Sequence, residues 1–101
     1  MATTKYWKVW SLDILGNPEE GYEFNDRFPL TCFECQLDES LSDEDAIKQV
    51  LSELERQDDD FFFLKVLGKT IYAKWEDENN IYIYKKDDDK PLYQIENLTA
   101  L

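Results

Sequence analysis

"SDEDAIKQVLSELER", residues 42–56, is the stretch whose apolar side chains recur at helical spacing. Ile47, Val50, Leu51 and Leu54 fall at i, i+3, i+4 and i+7, a single stripe on one helix face. Ser42 precedes Asp43-Glu44-Asp45, so its hydroxyl can accept from a first-turn backbone N–H while Asp45 reaches back. Three carboxylates in the first turn also suit the positive end of the helix dipole. The spacing predicts a helix over roughly residues 43–56, with Glu44, Lys48, Ser52 and Glu55 toward solvent.

On both sides of this segment the period drops to two, the mark of strands. Upstream, residues 5–15 carry Trp10, Leu12 and Ile14 on one face and Trp7 and Val9 on the other. "GNPEEG", 16–21, is composed of turn residues. Residues 22–28 alternate, Pro29 interrupts, and residues 31–37 alternate again. Downstream, "FFFLKVL" at 61–67 reads as a strand, with Phe62, Leu64 and Val66 toward the core and Phe61 and Phe63 on the far face. Gly68-Lys69 suits a two-residue hairpin link into a strand at 70–75. Strands at 81–86 and 91–98 follow, separated by "EDENN" and "DDDKP". Pro91 stands at a strand start, where a missing N–H is tolerated. The expectation is one α+β domain over residues 1–101. Six to seven antiparallel strands, in the order β-β-β-α-β-β-β-β, would carry one packed helix.

Hydrophobic residues make up 43% of the 101 residues and aromatics 15%, which suits a folded chain with one modest core. No apolar run approaches the roughly 20 residues of a membrane span. The N-terminal residues show no basic region followed by an apolar one, so no signal peptide is expected. With 23 acidic and 11 basic side chains, the net charge is −12. Such a chain repels nucleic acid and attracts basic surfaces.

Histidine is absent, which removes the commonest general base and the usual nucleophile systems. Glycines stand only at 16, 21 and 68, so no phosphate-binding loop is present. Cys32 and Cys35 form a CxxC, but zinc normally takes four Cys or His ligands. In a strand, positions three apart point to opposite faces, so the two are expected to be independent. The acidic turns lack the spacing of a calcium loop. No catalysis, cofactor or metal is expected.

What remains is how the acids are grouped. They form four clusters: Asp38, Glu39, Asp43, Glu44, Asp45; Asp58, Asp59, Asp60; Glu76, Asp77, Glu78; and Asp87, Asp88, Asp89. Each lies at a strand end, a helix start or a turn, positions that face water whatever the function. Duplex DNA presents one negative charge per about 1.7 Å of axis, and a rigid fold studded with carboxylates can imitate that field. These residues are the candidate partner-binding set, with a basic, nucleic-acid-binding protein surface as partner. Trp75, Tyr82 and Tyr84 are candidate aromatic contacts if their strands lie at an edge. Homodimerisation through an unpaired edge is a third arrangement.

"WSLDILGNPEEGYEFNDR", residues 10–27, resembles a segment of small uncharacterised bacteriophage proteins. The positions are Trp10, Asp13, Gly16, Asn17, Gly21, Tyr22, Glu23, Asn25, Asp26 and Arg27; "KPLYQIENL", 90–98, is a weaker echo. The resemblance implies a phage or prophage origin and the cytoplasm of a bacterial host. Small acidic proteins there often inhibit host nucleases, glycosylases or CRISPR effectors. The alternative is an accessory or structural interaction module whose acidity serves solubility alone. Arg27, one of two arginines, is expected to pair with a nearby carboxylate and fix its strand.

Overall fold

The computed structural model describes residues 2–17 and 21–100, with side chains described for 3–12 and 27–99. Pro18, Glu19 and Glu20 of the expected turn, and the side chains of the phage-like segment from Asp13 to Asp26, lie outside the described residues.

The first elements are a long antiparallel pair, β1 (Ala2–Asn17) and β2 (Gly21–Asp38). The helix α1 follows at Asp43–Gln57, within a residue of its expected span. A single helical turn, α2 (Phe63–Val66), leads into β3 (Ile71–Asp77), β4 (Asn80–Lys85), β5 (Pro91–Asn97) and a 3-10 turn at Leu98–Ala100. The described strands form one five-stranded sheet in the order β2-β1-β5-β4-β3, every neighbouring pair antiparallel. The fold is α+β, but it has five strands where the sequence suggested six to seven, and a second short helix.

Two readings account for the difference. Pro29 does not break the strand, because β2 is a sheet edge and the proline lies opposite Trp10, where the register slips by one residue. An edge bulge is where a missing N–H costs least. Residues 61–67 are not a strand either. Phe63 packs on Tyr93 with ring centroids 5.1 Å apart, and Phe61 packs on Phe63 at 5.6 Å. The carboxylate of Glu55 accepts from the Leu64 N–H at 3.2 Å, fixing a helical turn where three phenylalanines in a row give no period to follow. Phe61, Phe63, Leu64 and Leu67 therefore pack on the core, while Phe62, expected inside, is 61% exposed.

Gly68 is likewise not a hairpin residue. It follows the cap of α2 with φ +80°, and the N–H groups of Lys69 and Thr70 return to the Val66 carbonyl. That is the left-handed exit glycine favours after a helix.

One face of the sheet is covered and the other open. Trp7, Val9, Phe33, Cys35, Leu37, Ile81, Ile83 and Ile95 point inward and are buried with Ala46, Ile47, Val50, Leu51 and Leu54 of α1. The Ser42 hydroxyl accepts from the Asp45 N–H at 3.2 Å, the N-cap its position predicts. The sheet curls strongly around the helix. Strands β1 and β3 have β5 and β4 between them, so in a flat sheet they would stand about 14 Å apart. Yet the rings of Trp7 and Trp75 are 6.2 Å apart. This curl brings the end of β2 toward the end of β3. Among the described residues no helix is long and apolar enough to cross a membrane.

Candidate interaction surface

One aspartate of each acidic cluster makes the same local bond. Asp38 Oδ1 accepts from the Ser40 N–H at 2.9 Å, Asp58 Oδ1 from Asp60 at 3.1 Å, Asp77 Oδ1 from Asn79 at 2.8 Å, and Asp88 Oδ1 from Lys90 at 3.0 Å. Each is a side chain closing a turn on the backbone two residues ahead, a task for which Asp and Asn are suited. The two bonds from Ser40, backbone and hydroxyl, hold the Asp38 carboxyl below its ordinary value. Asp77 also accepts from the Asn80 side chain at 3.0 and 3.1 Å. One member of each cluster therefore has a structural task, and the clustering alone is no sign of function.

Their placement is more informative. The curl of the sheet gathers Asp38 and Glu39 from the end of β2, Asp43 from the start of α1, and Asp77 and Glu78 from the β3–β4 turn. With Lys5, Leu37, Ala46 and Trp75 these line one open cleft of about 530 Å³. Trp75 Nε1 donates to the Asp43 carbonyl at 3.0 Å and ties the first turn of the helix to β3. Thr3 Oγ1 donates to Glu39 at 2.9 Å. Asp45 and Glu76 are exposed alongside, and Glu44 is exposed with Lys48 at 3.8 Å.

The other two clusters are not in this cleft. Asp58, Asp59 and Asp60 follow the far end of α1, about 22 Å away by helix rise. Asp87, Asp88 and Asp89 occupy the β4–β5 turn, at the opposite end of β4 from Glu78. The ligand oxygens of Asp58, Asp59 and Asp60 lie within 4.8 Å of one another, but calcium takes six to eight oxygens. Three consecutive carboxylates, one already engaged with Asp60, fall well short of that shell.

The cysteines diverge as the strand geometry requires: Cys32 is exposed and Cys35 is 1% exposed. Burial, with Glu53 nearby, pushes the Cys35 thiol up to about 11, so it is an inert core group.

The open sheet face carries a different chemistry, which sequence reasoning missed. Arg27 crosses from β2 to Gln94 at 3.2 Å and Glu96 at 3.9 Å, both on β5, and covers the Trp10 ring at 3.8 Å. Among the described residues its carboxylate partner is Glu96, remote in sequence; the neighbouring Asp26 side chain lies outside the described residues. Trp10 Nε1 donates to Glu96 at 3.2 Å, and Gln94 donates to Asn80 at 2.9 Å. Tyr72 and Tyr84 stack with centroids 4.9 Å apart, beneath Lys74. Of the aromatic candidates, Trp75 lies on an edge strand. Tyr82 and Tyr84 lie on the interior strand β4, and Tyr84 is only 5% exposed. Burial, with Glu76 near, pushes Tyr84 up to about 12. Alternation could have marked these positions as one face, but nothing local shows which strands lie beside which.

No family model, no curated protein and no solved structure matches this chain.

Proposed function

We propose that the protein is a non-enzymatic interaction module whose acidic pole engages the basic surface of a nucleic-acid-binding protein. The fitting setting is a phage-infected bacterial cytoplasm, with inhibition of a host DNA-processing or defence protein as the outcome. The observation that carries this reading is the convergence of Asp38, Glu39, Asp43, Asp77 and Glu78 on one cleft with Lys5 as the only cation lining it among the described residues. Carboxylates from three chain segments held by one curled sheet form a preorganised negative surface. A partner that normally binds phosphates through Lys and Arg meets complementary charge there.

The turn-closing bonds of Asp38, Asp58, Asp77 and Asp88 favour a second reading, an accessory module whose acids shape turns and keep the chain soluble. Capture from a bacterial lysate separates the two. The immobilised protein should retain a basic protein that duplex DNA displaces, and retention should fall as salt rises. The variant carrying Glu39→Gln, Asp43→Asn, Glu76→Gln and Glu78→Gln keeps every turn-closing aspartate. If it captures the same protein equally well, the acidic pole is not the contact.

A further inference from the structure

The two edges of the sheet are finished differently. At β2, α1 lies alongside the edge. Gln57 Nε2 donates to the Glu34 carbonyl at 2.5 Å and Gln49 Nε2 to the Gln36 carbonyl at 2.7 Å. Those carbonyls point away from β1, so glutamines of the helix occupy the outward acceptors of that edge.

The edge at β3 has no such cover over Ala73 and Trp75. Thr70 accepts from the Lys86 N–H at 2.8 Å, in register with the Ile71–Lys85 pair. Residues 70, 72 and 74 therefore bond toward β4, and 71, 73 and 75 point their backbone groups outward. The outward carbonyl of Ile71 is taken by the Gly68 N–H at 2.8 Å. Among the described residues, nothing bonds to the backbone of Ala73 or Trp75 on that side. These two residues border a cleft of about 470 Å³ with Asp43, Glu44 and Ile47 on α1 and Leu67 beyond α2. An unpaired edge beside an apolar cleft is the arrangement used for strand addition.

We infer that the β3 edge takes an extended peptide as a sixth, antiparallel strand, paired to Ala73 and Trp75, with small apolar side chains in the cleft and a basic end at Glu76–Glu78. The charge of the occupant is argued from the page. Asp43 and Glu44 wall the cleft against one lysine, Lys74, and the strand runs directly into Glu76, Asp77 and Glu78, so acids outnumber the cation along the edge. A second copy of this chain fits less well. Antiparallel pairing of Ala73 with Trp75, and the reverse, sets two Lys74 side chains opposite each other and brings together two chains of net charge −12. The inference rests on the acidic-pole reading for the charge of the partner, but the backbone pairing is tested separately.

The probe is a seven-residue capped peptide, Lys-Val-Thr-Val-Thr-Val-Lys, which offers a lysine to Glu76–Glu78 in either direction. Its control is the same peptide N-methylated at the three valines, which keeps charge and side chains but removes the N–H groups that would pair with β3. Binding is followed by amide NMR shifts and amide exchange. Strand addition expects the amides of Ala73 and Trp75 to become protected, with at least a tenfold weaker affinity for the methylated peptide. The variant Ala73→Pro, which loses an outward N–H used in no internal bond, should lose binding similarly while far-UV circular dichroism is unchanged. Equal affinity for both peptides, without protection at Ala73 and Trp75, overturns strand addition and leaves the acidic pole standing. Absence of binding at low salt overturns both. Protection of these amides in a concentration-dependent dimer without peptide overturns the inference in favour of self-pairing.

Discussion

Replacing Asp77 separates the structural share of the acids from their electrostatic share. Asp77 closes the β3–β4 turn by accepting from the Asn79 N–H at 2.8 Å and from the Asn80 amide at 3.0 Å. Asparagine supplies the same acceptor to Asn79 without the charge, and alanine supplies neither. A hydrogen bond of this kind contributes about 1 kcal/mol net, and more when its acceptor is charged. The partner groups at this exposed turn can turn to water instead, so Asp77→Ala should cost about 1–2 kcal/mol, while Asp77→Asn should stay within about 0.5 kcal/mol of the parent. For a domain of this size, 1 kcal/mol moves the melting midpoint by roughly 4–8 °C, so thermal unfolding at fixed pH and salt resolves the pair. Partner retention from lysate should order the variants differently, with Asn and Ala both weakened because both lose the charge. If Asn destabilises as much as Ala, the turn depends on the charge rather than on the acceptor geometry, and the structural account of the clusters fails.

Leu51, fully buried beneath the sheet, should cost about 2–5 kcal/mol when cut to alanine, read as a shift of the urea midpoint at constant slope. Cys32 should be alkylated by iodoacetamide in the native protein while Cys35 reacts only on unfolding, which mass spectrometry of digested samples checks. Burial holds the Glu55 carboxyl above its ordinary value of 4.5, the Leu64 N–H opposing this only in part. Its contribution to stability is therefore full below the ordinary value and is lost as pH rises through the raised one. Glu55→Gln, which keeps an acceptor for Leu64, should be more stable than the parent at neutral pH, and the gap should close on acidification below about 4.5. A gap that widens with acid would contradict the sign.

The helix was legible because two independent signals agree on it, the stripe from Ile47 to Leu54 and the Ser42 cap. The strands β3, β4 and β5 were legible because Asp77 and Asp88 close the turns between them, and turn chemistry is local. Residues 61–67 were not, because high strand propensity in Phe61-Phe62-Phe63 yields to the packing of Phe63 on Tyr93, remote in sequence, and to the Glu55 carboxylate that accepts from Leu64. Pro29 read as an interruption because its lost N–H matters only if both sides of a strand are paired. That β2 is an edge is a property of the whole sheet. The same limit applies to the candidate site. Its carboxylates could be named from their clustering, but the union of Glu39, Asp43 and Glu78 depends on strand order and curl. No window of the sequence carries either.

The distribution of the cations sharpens the functional argument. Arg56 is held by Glu53, Lys48 stands by Glu44, Arg27 reaches Glu96, and Lys8 and Lys74 lie over Trp10 and Tyr84. These positive groups lie on one helix surface and on the open sheet face, with Lys74 also bordering the β3 cleft. At the acidic cleft, Lys5 alone among the described residues faces Asp38, Glu39, Asp43, Asp77 and Glu78. The turn-closing bonds of Asp38 and Asp77 and the Thr3 bond to Glu39 hold these carboxylates in place around the cleft. On the proposed reading, a basic partner would meet complementary charge there. The β3 edge makes the same demand from another direction. A strand laid along Ala73 and Trp75 is carried by its own extension into the Glu76–Glu78 turn, where an acidic end would be expelled and a basic one retained. Backbone pairing alone would accept any extended sequence, and charge alone any basic surface. Taken together, the two proposals call for a partner segment that is both extended and basic.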